Sequence, residues 1–286
     1  MANLKEIRNR IASVSSTMQI TSAMKMVSAA KLKKAQDAIT AMRPYANKLT
    51  ELLQNLSGSL DADTGSVYSE ERPVKKVLLV AITSNRGLCG AFNSNIVKES
   101  ISLMSNTFNE QEVHFMTVGK KGTDLLKKKN KVIADHSKVY DDLTFDNVAQ
   151  IAEELMAYYV DGSYDKIVLI YNKFKNAATQ ILMTEQFLPI VAEKSESKNS
   201  VDYIFEPEKE KIVMELIPKS LKTQLFKAVR DSFASEHGAR MTAMHKATDN
   251  ASELRDQLKL TYNKARQAAI TNEILEIVGG AEALNN

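Results

Sequence analysis

The stretch Leu4–Met42, LKEIRNRIASVSSTMQITSAMKMVSAAKLKKAQDAITAM, decides the fold. Residues 1–57 contain no glycine and only one proline, Pro44, although these two residue types punctuate most chains. Apolar side chains recur at spacings of three and four, which is typical of one helical face. We therefore expect one long helix, opened by an Asn3–Glu6 capping box and kinked or locally ended at Pro44. The expected stripe is Leu4, Ile7, Ile11, Val14, Met18 and, after a slip, Met24, Val27, Ala35, Ile39, Met42, Leu49, Leu53 and Leu56.

A second long segment lies at the other end of the chain. Residues 219–278 contain one glycine, Gly238, and no proline. Pro218 suits the first turn of a helix, and Gly279-Gly280 predicts its end. The expected apolar stripe is Leu221, Leu225, Ala228, Ala251, Leu254, Leu258, Tyr262, Ala265 and Ala268.

The lengths of these two helices predict how they are used. Helices of about 55 and 60 residues extend roughly 80–90 Å. A compact chain of 286 residues has a diameter of only about 50 Å. The helices must therefore project, and pairing their apolar stripes in a coiled coil buries both. One helix begins the chain and the other ends it, so we expect antiparallel pairing, made irregular by polar residues such as Ser28 and Thr248.

The middle of the chain alternates between strand and helix patterns. β-forming runs predict strands at Lys75–Ser84, Glu112–Val118, Lys166–Tyr171 and, more weakly, Gln180–Pro189. Helices are expected near 91–107, 120–129 and 145–160. This alternation predicts a small, mainly parallel sheet with helices on both faces. The fold class is therefore α/β, with a Rossmann-like α/β domain at 74–210 between coiled-coil helices at 1–57 and 211–286.

Composition excludes several classes of protein. The longest clean apolar run, Val77–Ile82, is far shorter than the ~20 residues of a membrane-spanning helix. The N-terminus resembles neither a secretory signal nor a transit peptide. Cys89 is the only cysteine, so no intrachain disulfide forms, and its apolar surroundings indicate a buried, inert thiol. The four histidines lack metal-ligand spacing, and we expect neither a metal nor a cofactor.

Charge is distributed unevenly along the chain. Basic minus acidic residues give +6 for 1–57, −5 for 58–210 and +2 for 211–286. The basic ends favour an acidic partner. Nucleic acid is not expected, because aromatic residues are not interleaved with the basic ones. Four lysines, at positions 25, 31, 33 and 34, suit either a solvated helix face or a patch that binds a partner. The adjacent Met24 and Met26 favour the patch, because methionine side chains adapt to contacts that break and form again.

The turn Arg86-Gly87-Leu88-Cys89-Gly90 is the one place where an enzyme site could lie. It falls between an expected strand and helix, where phosphate-binding loops occur. However, Ala91-Phe92 follows Gly90 in place of the Lys-Ser/Thr pair of a P-loop. A tight structural turn is the favoured interpretation. The sequence contains no recognisable hydrolase, metalloprotease or cysteine-nucleophile motif.

Several terminal motifs resemble one protein family. They are Ile7-Arg8, Met24-Lys25-Met26-Val27, Arg43-Pro44-Tyr45, Arg86–Gly90, Ala247–Asn250, Tyr262–Ala268 and, most specifically, Ile270-Thr271-Asn272-Glu273-Ile274-Leu275-Glu276-Ile277-Val278-Gly279-Gly280-Ala281. Together these motifs resemble the γ subunits of bacterial F-type ATP synthases, along the whole chain. The family's fold, two antiparallel terminal helices with an α/β domain at their base, agrees with the expectation from periodicity.

The resemblance implies a non-catalytic rotor in the central stalk. Such a shaft couples proton flow through the membrane ring to ATP synthesis or hydrolysis on the α/β head. The implied partners are the α, β, ε and c-ring subunits, with membrane association through the c ring only. The implied location is peripheral, on the cytoplasmic side of the plasma membrane. The single cysteine excludes the regulatory thiol pair of chloroplast-type chains.

The same resemblance implies a set of partner-binding residues. Met24 and Lys25 would face acidic levers of β, and the turns from Ile277 onward would enter an apolar sleeve. The head would be contacted by Arg240, Arg266, Gln267, Thr271, Glu273 and Glu276. Tyr203 and Phe205 would lie near the membrane ring, although the family often has Tyr at Phe205, so a hydroxyl contact there is in doubt.

Two other classes remain open at this point. A nucleotide-binding α/β enzyme with helical extensions would bind ATP tightly by itself. A coiled-coil adaptor unconnected with ATP synthesis would explain the long helices without explaining the C-terminal motif.

Overall fold

A computed structural model describes residues 4–57, 67–70, 72–190 and 209–284. The chain forms two compact units, Met1–Ser28 with Met241–Asn286, and Ala29–Arg240. Two long helices, α1 (Leu4–Ser57) and α5 (Lys209–Leu284), contribute to both units. Among the residues so described, no helix combines the length and apolarity needed to cross a membrane.

The unit Ala29–Arg240 is built on a five-stranded sheet. Its strands are β1 (Lys76–Ile82), β2 (Glu112–Val118), β3 (Val132–Asp135), β4 (Lys166–Phe174) and β5 (Gln180–Leu188). The spatial order is β3-β2-β1-β4-β5. The first four strands are parallel, and β5 runs antiparallel to β4. The predicted α/β class is confirmed; β3 is an additional short strand that the sequence patterns did not predict.

Helices pack on both faces of the sheet. The strand β1 carries apolar side chains on both of its faces, so both must be buried. Three shorter helices are α2 (Phe92–Ser102), followed by a π-helical turn at Leu103–Thr107, α3 (Lys120–Leu126) and α4 (Phe145–Val160). Alternate residues of a strand point to opposite faces. Val77 and Leu79 therefore pack with side chains of α2 and α3, while Leu78 and Val80 pack with side chains of α4 and α5.

The early part of α5 belongs to the core of the sheet. Ile217, Leu221, Leu225, Ala228 and Val229 all join the cluster that contains Leu78 and Val80. The prediction that Leu221, Leu225 and Ala228 belong to the coiled-coil stripe is therefore wrong. The periodicity located the apolar face correctly, but the open side of the sheet is the surface that buries it.

Pro218 and Gly279-Gly280 do not mark the ends of α5, contrary to the expectation from turn residues. The helix begins at Lys209, so Pro218 lies inside it, where a proline costs about 3 kcal/mol. Burial of the neighbouring Ile217 and Leu221 offsets that cost. The helix also continues through Gly279-Gly280 to Leu284, and neither glycine has the left-handed φ of a helix stop. In α1, Pro44 likewise does not end the helix.

The other unit contains an antiparallel helix pair. Arg8 Nη2 donates a hydrogen bond to the Tyr262 hydroxyl at 2.8 Å, and its guanidinium lies 5.7 Å from the centre of that ring. Arg255 Nη1 approaches Met18 Sδ at 3.5 Å, and the hydroxyls of Thr248 and Thr21 are 2.8 Å apart. Partner numbers on α5 fall as those on α1 rise, so the predicted antiparallel pairing is confirmed.

Polar residues interrupt this helix pair, as expected from Ser28 and Thr248. Ser28 is 3% exposed, and its hydroxyl donates to the Met24 carbonyl at 2.7 Å. Val27, predicted in the stripe, is instead 57% exposed. Along α1 as a whole, a seven-residue rhythm of buried positions includes Ser28 and omits Val27; these positions are Thr21, Ser28, Leu32, Ala35, Ile39, Ala46 and Leu49.

Candidate functional site

The predicted contact residues on α1 lie beside an exposed apolar surface. Met24 and Lys25 are half-buried. Ile20, Met26 and Val27 are 57–65% exposed. Large apolar side chains grouped on one helix segment are typical of a surface that a partner covers. Contact of Met24 and Lys25 with a partner remains a prediction.

The C-terminal candidates lie on the exposed end of α5. Arg266, Gln267, Thr271, Glu273 and Glu276 are all exposed, and none has a hydrogen bond or ion pair within the described parts of the chain. Exposed apolar residues alternate with them: Ile270, Ile274, Leu275, Ile277 and Val278 are 48–67% exposed. This end of α5 therefore presents both unpaired polar side chains and exposed apolar side chains.

The helix pairing explains why this end of α5 is uncovered. The Arg8–Tyr262 contact lies one helical turn from Leu4, where the described part of α1 begins. With antiparallel pairing, Leu4 falls opposite about Arg266. The remainder of α5 has no described residue of α1 beside it, so its surface is available to another molecule.

Arg240, in contrast, is used inside the chain. It is 7% exposed and forms an ion pair with Glu236, one turn earlier on α5. Its Nη2 also donates to the carbonyl oxygens of Arg86 at 3.1 Å and Gly87 at 3.3 Å. Burial raises the pKa of Glu236, and the charge of Arg240 opposes that rise. A contact between Arg240 and a partner remains a prediction, while its intramolecular role is evident.

The turn Arg86–Gly90 has the geometry of a structural turn. Two of its carbonyl groups face the Arg240 guanidinium, whereas a phosphate site needs backbone N–H groups directed at the ligand. Asn93 Oδ1 accepts a hydrogen bond from the Ser84 N–H at 2.9 Å, and the Ser84 hydroxyl donates to the Arg86 carbonyl at 2.7 Å. The groups around the turn are thus engaged with one another.

The thiol prediction for this turn is confirmed. Cys89 is 2% exposed, and burial raises the pKa of its thiol. The Asn93 amide nitrogen lies 3.2 Å from its sulfur. A buried thiol with a raised pKa is a poor nucleophile.

A polar segment of α5 occupies the edge where α/β sheets usually bind ligands. Ligands of open α/β folds bind outside the carboxyl ends of the strands. Here the Ser232 hydroxyl donates to the Ile82 carbonyl at 3.4 Å, and the Ser235 hydroxyl donates to the Asn172 carbonyl at 2.9 Å. The absence of a side chain at Gly238 permits close approach, because an added Cβ would lie 3.1 Å from the Ala177 carbonyl oxygen.

The sequence analysis did not identify the role of this polar segment. Asp231, Ser232, Ser235, Glu236 and His237 are all buried. A signal was present, because five such residues interrupt a segment that otherwise has an apolar helical stripe. Arg43 Nη2 of α1 lies 3.5 Å from Asp231 Oδ1, which compensates part of the cost of burying that carboxylate.

His237 is buried in this segment without a polar partner. It is 5% exposed, and among the described residues neither ring nitrogen has a hydrogen-bond partner. Burial lowers its pKa to about 4, with smaller contributions from the positive charges of Arg240 and Lys31. Its ring packs edge-on against Phe233 at a centroid distance of 4.5 Å.

The remaining candidates are a metal site and the residues Tyr203 and Phe205. Within the described ranges no group of three His, Cys, Asp or Glu side chains could hold a metal ion. Tyr203 and Phe205 lie outside the described residues, so their predicted contact with a membrane ring remains a prediction.

Comparison with known proteins finds relatives along the whole chain. The sequence matches the family described as ATP synthase over residues 3–284. It is 72% identical to the ATP synthase gamma chain of Flavobacterium johnsoniae, with all of both chains covered. It is 55% identical to that of Cytophaga hutchinsonii, again with both chains fully covered.

Two solved structures contain chains with a similar fold. The central stalk and c ring of the Tetrahymena thermophila mitochondrial ATP synthase contain a chain with 27% identity and a TM-score of 0.61, covering 80% of this chain and 99% of that one. A chain of the Euglena gracilis mitochondrial enzyme, in a structure of OSCP, F1 and the c ring, has 24% identity and a TM-score of 0.73, covering 98% and 94%. This last likeness concerns the fold alone. From the family match and the relatives at high identity, the chain belongs to the ATP synthase γ-chain family.

Proposed function

We propose that this chain is the central-stalk rotor of an ATP synthase. It couples ion flow through a membrane ring to ATP synthesis or hydrolysis on a head of α and β subunits. The observation that carries the proposal is the end of α5 beyond Arg266, where unpaired polar groups and exposed apolar residues share one helix within the family's most specific motif.

The mechanism requires that one rotor surface bind alternative states of the head unequally. A ligand shifts a conformational equilibrium only by the difference between its affinities for the two states. Gln267, Thr271 and Glu273 supply directional hydrogen bonds, and Ile274 and Ile277 supply apolar area. Turning this surface past successive β subunits changes which of them it contacts, and the contact energy biases the nucleotide affinity of each in turn.

The parts of the chain divide this task. The helices at 1–57 and 211–286 form the shaft, and the domain at 74–210 forms the base that binds the c ring and ε. Met24 and Lys25 contact the acidic levers of β, while Tyr203 and Phe205 contact the ring. The complex is a membrane assembly, and this chain joins it peripherally on the cytoplasmic side of the plasma membrane.

The chain carries no catalytic role in this proposal. The carboxyl edge of the sheet, the usual ligand position, is covered by Ser232 and Ser235 of α5. Arg240 engages carbonyl groups of the turn at Gly87. Both observations support catalysis on partner subunits and weigh against a nucleotide-binding enzyme.

Reconstitution with purified α and β subunits tests the proposal. The variants are a truncation after Tyr262 and, as a control, a truncation after Leu284, which retains the whole described helix. We expect the full chain and the control to support cooperative ATPase activity and rotation of a bead attached to the chain. The truncation after Tyr262 should weaken both, because it removes every exposed contact residue from Arg266 onward.

The chain must also be assayed alone. Tight nucleotide binding or hydrolysis by the isolated chain, together with no effect on α and β, would overturn the rotor proposal. Equal activity of the two truncations would show that the exposed end of α5 does not carry the coupling.

A further inference from the structure

A group of exposed lysines lies at the edge of the sheet where the parallel strands begin. Lys127, Lys128, Lys129 and Lys131 connect the end of α3 to the start of β3, and all four are exposed. Residues 125–134 contain no acidic side chain. Among the described residues, no ion pair engages any of the four, which we call the amino-edge lysine cluster.

Two acidic side chains at this edge of the sheet, Asp165 and Glu112, are engaged by other groups. Asp165 Oδ2 accepts backbone hydrogen bonds from Lys75 and Lys76, each at 2.9 Å. Glu112 lies 3.0 Å from His114 Nε2 and 3.8 Å from Lys76 Nζ. Neither of these two carboxylates forms an ion pair with a lysine of the cluster.

The cluster also extends toward β1. His114 on β2 is buried, and burial lowers its pKa; the charges of Lys131 and Lys76 lower it further. Lys131 of the cluster and Lys76 at the start of β1 thus both act on this imidazole ring, while the Glu112 carboxylate acts in the opposite direction.

The composition of this surface identifies the kind of partner. Cores of protein–protein interfaces are enriched in arginine and aromatic residues and depleted of lysine. Residues 119–131 contain neither an arginine nor an aromatic residue. Stacking platforms for single-stranded nucleic acids are therefore absent as well. Flexible lysines on a short polar connection instead suit a diffuse layer of negative charge, such as an anionic membrane surface.

We propose that the amino-edge lysine cluster makes direct electrostatic contact with anionic phospholipid headgroups. The inference rests on the proposed function, because a central-stalk chain works beside a membrane ring. It adds a lipid contact to the attachment through the c ring that the resemblance implies. Attraction of this kind needs no fixed hydrogen-bond geometry, so it holds the base near the membrane while allowing it to slide during rotation. Leu125, 44% exposed, adds apolar area beside the cluster.

Vesicle sedimentation of the full chain tests the inference. The vesicles are neutral phosphatidylcholine alone or phosphatidylcholine mixed with phosphatidylglycerol. The test variant replaces three cluster lysines by glutamine (K127Q/K128Q/K129Q). The matched control removes the same charge from three exposed lysines at the opposite, carboxyl edge of the sheet (K120Q/K138Q/K175Q).

We expect the wild type and the control to bind only the anionic vesicles. The cluster variant should bind them about a hundredfold more weakly, since each lysine near an anionic surface contributes a factor of about five. Binding of the wild type should also fall steeply as salt is raised, because exposed charges are screened over about 10 Å at 0.1 M.

Three results would overturn the inference. Equal losses in the two variants would assign the binding to net charge, and equal binding to neutral vesicles would exclude a charge-based contact. A variant that attaches poorly to the membrane sector in neutral lipid would show that the cluster serves an acidic protein surface. The ATPase reconstitution stands apart: a cluster variant that supports full ATPase activity leaves the rotor proposal intact whatever the vesicles show.

Discussion

Replacing His237 by leucine should remove a specific pH dependence from the stability of the chain. His237 is buried with both ring nitrogens unpaired, and burial lowers its pKa to about 4. The groups that face it are Arg240 on the same helix, Lys31 on α1 and the ring of Phe233. The two cations oppose an imidazolium, and no described group accepts a hydrogen bond from either ring nitrogen.

The sign and size of the effect follow from the two protonation states. The unfolded chain binds a proton at His237 near the ordinary pKa of about 6.5. The folded chain stays neutral there until the pH approaches about 4. Between these values the unfolded state holds more protons, so stability falls as the pH falls. The full loss between pH 6.5 and 4 is about 3 kcal/mol for this one residue.

Urea unfolding of the full chain, followed by circular dichroism between pH 8 and 4.5, measures this loss. At pH 8 the leucine variant should be at least as stable as the wild type, since two unpaired buried nitrogens are removed. Its stability should then fall less steeply with acid. The control is H245Q, because His245 is exposed and pairs with Asp249 on the surface. The reasoning is refuted if H237L and the wild type lose stability in parallel. Acidic groups such as Asp231 are common to both chains and cancel in this comparison.

Three further predictions test other parts of the fold by denaturant unfolding. Arg240→Gln should cost about 3 kcal/mol by leaving the buried Glu236 unpaired, and adding Glu236→Gln should recover part of the loss; no recovery would contradict the pairing. Leu225→Ala, at a fully buried position, should cost about 2–5 kcal/mol, and a loss below 1 kcal/mol would place this residue outside the core. Gly279→Ala should stabilise α5 by about 0.5–1 kcal/mol because its added Cβ meets nothing, whereas Gly238→Val should destabilise it; the same sign for both would contradict the packing at Gly238.

Periodicity and turn residues predicted much of this fold. The strand Glu112–Val118 and the helix 145–160 match the structure residue for residue, and antiparallel pairing followed from helix length and chain order alone. These features depend on local patterns or on chain connectivity, both of which are visible in a sequence.

Other features depend on what covers an apolar face, which periodicity does not reveal. Leu221 and Leu225 have the same spacing whether a helix or a sheet buries them, and the sheet does. Ser28 lies in the helix seam in place of Val27 because a seven-residue rhythm, seen only in the packed pair, overrides side-chain polarity. The strand Val132–Asp135 is too short and too closely followed by polar residues to form a pattern.

The candidate site was likewise predictable only in part. The exposed residues Gln267 and Thr271 were identified because a motif carries them. The bonds from Arg240 to the turn at Gly87 join residues far apart in the chain, and no local pattern encodes them.

The position of α5 in the core also sets an order for synthesis on the ribosome. The sheet face formed by Leu78, Val80 and Leu169 needs Leu221, Leu225 and Val229 to complete its cover, and these come from the last third of the chain. Until that segment emerges, this face is shielded by α4 and by a few side chains outside it, such as Tyr68 and Val139. The domain therefore closes late, with part of its apolar face open during most of translation. Nascent chains arrested before Ile217 should accordingly be held by chaperones or degraded, even though every strand of their sheet has already been made.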